Sequence, residues 1–104
     1  MKSILEVKEG TQYQSAGETL VFTITTTNWA STPTSPTAVV YDESNLDTDV
    51  TTTVMPSGSH SVATDVITLK PLTALTVDHT YRVEVKFVIG SNTWECFFKV
   101  ICLI

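Results

Sequence analysis

From Tyr81 to Ile89 the chain alternates: Tyr81, Val83, Val85, Phe87 and Ile89 are apolar, Arg82, Glu84 and Lys86 between them are charged, and Val88 completes the intervening set. A period of two predicts a strand with one face on a core and the other toward water. Gly90-Ser91-Asn92 breaks the pattern as a tight turn, and from Thr93 to the C-terminus the even positions Trp94, Cys96, Phe98, Val100, Cys102 and Ile104 are all apolar. Together the two runs predict an antiparallel hairpin with both apolar faces on one core. Upstream, Leu20, Phe22 and Ile24 alternate with Val21, Thr23 and Thr25 behind the turn Ser15-Ala16-Gly17-Glu18, and Ile4 to Lys8 reads as a short edge strand. Ser31-Thr32-Pro33-Thr34-Ser35-Pro36 is expected to be a loop, because two prolines remove ladder donors and bias their predecessors. Thr37 to Tyr41 follows as a strand, then an acidic loop, then Val50 to Met55 and Val62 to Leu69 as a pair joined by Pro56-Ser57-Gly58-Ser59.

No apolar pattern of helical period persists anywhere, and the commonest residue is threonine, with nineteen copies. Threonine, valine and isoleucine fit pleated strands and lose rotamer freedom in helices. About seven short strands with turn signals between them predict an all-β, two-sheet antiparallel sandwich without a helix, an up-and-down barrel or jelly roll being the alternative. A length of 104 residues fits a single domain spanning 1–104.

Six basic against eleven acidic residues, a net charge of −5, argue against a nucleic-acid partner, since binding a polyanion requires clustered Lys and Arg. No uncharged apolar run reaches the roughly 18 residues of a membrane span. Met1-Lys2-Ser3 leads straight into alternation with no signal peptide, so the expectation is an unexported protein or a mature or excised fragment. Cys96 and Cys102 lie on one predicted strand, which sets them about 20 Å apart at roughly 3.3 Å per residue, beyond the roughly 7 Å that a disulfide tolerates. Two buried free thiols are expected, in keeping with folding in a reducing compartment.

Candidate chemistry is sparse. Asn45, Asp47 and Asp49 in the acidic loop Asp42 to Asp49 have the oxygen donors a calcium ion takes, but the loop lacks the glycine and the closing glutamate of an EF-hand, and a solvated acidic loop explains the same residues. His60 and His79 have no zinc-ligand spacing with Cys96 and Cys102 and read as turn or strand-end residues. Ser59-His60-Ser61 lacks a third group to orient a base, and adjacent strand residues point to opposite faces. The four glycines form no phosphate cradle. No enzyme site, metal or cofactor is expected. The outward set on the last strand is more informative: Phe97, Ile101 and Leu103 are apolar where water is expected, with Val88 beside them on the same sheet face. Such a cluster marks contact with another chain, unless a neighbouring segment covers it.

The segment Leu75-Thr76-Val77-Asp78-His79-Thr80-Tyr81-Arg82-Val83-Glu84-Val85 resembles the E–F corner of immunoglobulin-like and fibronectin type III domains. There the ring of a tyrosine placed like Tyr81 packs in the core and its hydroxyl bonds back to the turn. Ser15 to Thr25 is similar to the A–B turn and strand B of bacterial and phage immunoglobulin-like modules. The chain departs from antibody-type domains, having no B–F cysteine pair and no tryptophan at the strand C position. The absent signal peptide, the free thiols and the Thr-rich strands together resemble small immunoglobulin-like virion proteins of tailed phages, which implies a capsid decoration, neck or tail component, assembled in the host cytoplasm. It would bind other protein subunits in a symmetric homo- or hetero-oligomer through Val88, Phe97, Ile101 and Leu103. The second expectation is an adhesion or carbohydrate-binding module using Trp29 with the Thr-Pro loop, or the Asp47–Asp49 loop with calcium.

Overall fold

The computed structural model describes residues 4–6, 10–26 and 32–104. Two sheets face each other across one apolar core. The first is built on the hairpin of β8 (Thr80–Ile89) and β9 (Asn92–Ile101), whose ten-residue register runs from Thr80 opposite Ile101 to Ile89 opposite Asn92. Its turn is Gly90-Ser91, and Gly90 takes φ 60, a value glycine reaches without a Cβ clash. On the other side of β8 lies β4 (Thr34–Asp42), and β5 (Thr48–Asp49) completes that edge. Beyond β9 lie β1 (Ile4–Glu6) and β2 (Gln12–Tyr13). The second sheet has the order β3 (Thr23–Thr25), β7 (Val66–Thr68), β6 (Ser61–Ala63).

The even residues Cys96, Phe98, Val100 and Cys102 are buried, as are Tyr81, Val83, Val85 and Phe87 opposite them. They meet Ile24 and Ile67 of the other sheet and Leu69 and Leu72 from the segment after β7, and the Phe22 and Phe98 rings lie 5.3 Å apart between centroids. Both cysteines are buried and free. No helix among the described residues is long and apolar enough to cross a membrane.

Several expectations are corrected. The sheets are not wholly antiparallel, because β1 and β2 both run parallel to β9. The strand expected from Val50 to Met55 is instead a single helical turn, α1 (Thr51–Val54). Asp49 accepts the Thr51 amide and hydroxyl at 3.0 and 2.7 Å, which turns the chain out of the extended state. Val50 and Val54, one helical turn apart, then face inward, half-buried and buried. The run Val62 to Leu69 folds into a hairpin, with Ala63 opposite Val66 and Thr64 at φ 55 in the turn. β4 begins within the Thr-Pro segment expected as a loop. It passes Pro36 through a register shift between Thr34 and Thr37, where a missing ladder donor is tolerated. Of the edge strand expected from Ile4 to Lys8, residues 7 and 8 lie outside the described residues.

Candidate functional site

The register of the first sheet brings four segments to one end of the molecule. Tyr81 pairs with Asp42 on one side and Val100 on the other, so the β4–β5 loop, the corner before β8 and the end of β9 lie together. The corner is locked from within: the Tyr81 hydroxyl, on a ring only 2% exposed, accepts the Thr76 amide at 2.7 Å. Beyond β9, Cys102 donates its amide to His79 O and accepts from the Asp78 amide. The fourth segment follows β2, where the Gln14 and Ala16 amides bond the carbonyls of Ile101 and Ile104. Gln14 is buried, and its side-chain amide donates to the Leu72 and Glu18 carbonyls at 2.6 and 3.0 Å, tying this end to the segment that follows β7.

Large apolar side chains gather at this end. Tyr13 is 61%, Leu103 58% and Ile104 80% exposed, and with Ile101 they line a shallow groove that Glu18 borders. Val77 stands exposed on the corner, and Leu46 is 94% exposed at the tip of the β4–β5 loop. Of the large apolar residues exposed among the described ones, Val21 alone belongs to another segment.

The β4–β5 loop is held down by charge. Arg82 donates to Glu84 and Glu43, each at 2.8 Å, and to Asp47 at 3.1 Å, and its guanidinium lies 4.8 Å from the centre of the Tyr41 ring. Asp47 first, then Glu84 and Glu43, hold it further in its charged form against the opposing effect of burial. Lys99 reaches Glu43 at 3.3 Å. Asp42, buried at the end of β4, bonds His79 Nδ1 at 2.7 Å and accepts the Ser44 amide. The carboxylates of the acidic loop are thus turned onto donors of the protein, Glu43 and Asp47 sharing Arg82, and among the described residues no three His, Cys, Asp or Glu side chains are placed to hold a metal.

The four residues expected at an interface separate. Ile101 and Leu103 belong to the apolar end, half-buried and exposed. Val88 is half-buried toward the opposite end, opposite Thr93, and Phe97 is half-buried midway, opposite Glu84 and beside β1. Glu95, an odd position of the same strand, is buried at 3% exposure, with Lys86 Nζ at 3.8 Å. His60 accepts the Lys70 amide on Nδ1 at 3.0 Å, a bond that ties the residue before β6 to the segment after β7. Trp29 lies outside the described residues. Tyr13, Val77, Leu46 and Ile104 were not expected here. For Val77 and Leu46 the signal is a large apolar residue among polar neighbours in a turn, which strand parity does not weigh; Ile104, expected on the core face of the last strand, is instead exposed past its end. No protein family, curated protein or solved structure matches the chain.

Proposed function

We propose that the chain is a non-enzymatic immunoglobulin-like module that binds other protein subunits through its apolar end, as a component of a tailed-phage virion. The observation that carries the interaction reading is the gathering of Tyr13, Val77, Leu103 and Ile104, all exposed, at one end of the sandwich. Apolar surface of that kind is unfavourable in water unless a partner covers it. The immunoglobulin-like part is supported by the strand order β3-β7-β6 facing β9-β8-β4-β5 and by the Tyr81 hydroxyl on the Thr76 amide. The virion part rests on the resemblance of the Thr-rich strands and free thiols to small immunoglobulin-like virion proteins, and of the segment Ser15 to Thr25 to bacterial and phage modules.

A photo-crosslinking residue in place of Leu103, compared with one in place of Ser91 at the opposite end, tests it in the producing cell. One discrete adduct from position 103, recovered in particle-sized fractions, with none from position 91, is the expected result. Equal adducts from both positions, or none from either, would remove the interaction reading. An adduct confined to unassembled fractions would remove the virion part alone.

A further inference from the structure

The apolar end has an acidic border that no cation among the described residues neutralises. Arg82 and Lys99 are already engaged by Glu43, Asp47 and Glu84. Glu18 beside the groove and Asp78 on the corner are exposed and make no ion pair among the described residues. Asp49, exposed at the foot of the neighbouring loop, accepts from the uncharged Thr51 and makes no ion pair among the described residues. The surface is therefore a concave apolar strip within a negative rim. Two copies placed end to end would set their rims against each other, within the roughly 8 Å over which charges are felt at physiological salt. Like charges facing across a contact oppose it, whereas opposite charges steer and orient it.

We infer that the apolar end takes a partner protein whose contact surface is an apolar projection ringed by lysine or arginine, and not a second copy of this chain. The inference rests on the proposed reading of this end as an interface and adds the chemistry of the partner. The apolar groups of Tyr13, Ile101, Leu103 and Ile104 supply the contact, and Glu18 and Asp78 select the charge of what surrounds it.

Two short helical peptides with the same leucine positions, one otherwise lysine and one otherwise glutamate, serve as probes against the labelled chain in an amide-shift titration. The leucine–lysine peptide should move the amides of Tyr13, Val77 and Leu103 and bind about tenfold tighter than its glutamate counterpart. High salt should close that gap. Glu18→Gln with Asp78→Asn should narrow it by roughly threefold. Glutamine keeps an acceptor for the Ser15 amide, which Glu18 holds at 2.8 Å, and asparagine tolerates the φ of 69 at position 78, so the fold should be retained. Equal affinity for the two peptides, shifts away from this end, or concentration-dependent dimerisation of the chain alone through it would overturn the inference. A crosslinked adduct at position 103 of twice the chain's mass would overturn it too, while leaving the proposed function standing.

Discussion

Leu46 combines two penalties at one position. It is 94% exposed, and it shares with Asp47 a positive φ, 57 and 55, in a turn closed by the Thr48 amide on the Asn45 carbonyl. A leucine in the left-handed region costs about 1 kcal/mol, and nothing is gained here from burial. Replacement by asparagine, which tolerates that backbone, should raise stability by roughly 0.5–1 kcal/mol in urea unfolding. A leucine held where local physics disfavours it fits a surface whose apolar groups are used elsewhere than in the fold. Tyr81 is the opposite case. Tyr81→Phe keeps the buried ring and strands the Thr76 amide, which should cost about 1–3 kcal/mol in the same measurement. His60 adds a pH dependence. Burial first, and then the charge of Lys70, lower its pKa in the folded state, and the bond from the Lys70 amide requires Nδ1 unprotonated. The unfolded chain therefore binds the proton first, so stability is whole above the ordinary value of about 6.5 and falls as the pH drops through it. His60→Gln should flatten that slope, measured as the denaturation midpoint across the same pH range.

Among the elements, the β8–β9 hairpin was legible because ten-residue strands repeat the alternation often enough for parity to be read. The corner before β8 was legible because one residue, Tyr81, carries its geometry. The short elements were not. α1 has four residues, so Val50 and Val54 are a single helical spacing inside a threonine run that favours strands. The β6–β7 turn at Thr64-Asp65 contains no glycine or proline to announce it. The apolar end was half legible: parity places Ile101 and Leu103 on a sheet face, but it says nothing of which loops meet that face at its end, which depends on long-range register. The β4–β5 loop illustrates what that register supplies. Arg82, from β8, reaches Glu43 and Asp47 across the sheet, and lysine could not reproduce the forked contacts of a guanidinium. Arg82→Lys should leave the hairpin intact, lower stability by up to about 1 kcal/mol, and speed amide exchange at Thr48, with the amides of Val83 and Val85 unchanged.

At the scale of the molecule, the two thiols sample different parts of one structure. Cys96 sits at mid-strand between Val85 of β8 and Leu5 of β1, and burial pushes its pKa up to about 12. Its exposure requires separating the centre of the first sheet. Cys102 is equally shielded from solvent, and burial, followed by the charge of Asp78, raises its pKa as well. It lies past the end of β9, however, held by backbone bonds to Asp78 and His79 of the corner. Chain segments tied by few bonds at an exposed end open without the rest of the fold. In native conditions a thiol reagent should therefore modify Cys102 through a local opening whose rate depends weakly on urea, and Cys96 through global unfolding with the full urea dependence. Equal rates with the same steep dependence would mean that the apolar end unfolds only with the core. Because Cys102 is bonded into the corner that carries Val77 and Asp78, a bound leucine–lysine peptide should slow its modification and leave Cys96 unaffected. The same measurement then reports how far the docking surface and the core behave as separate units of stability.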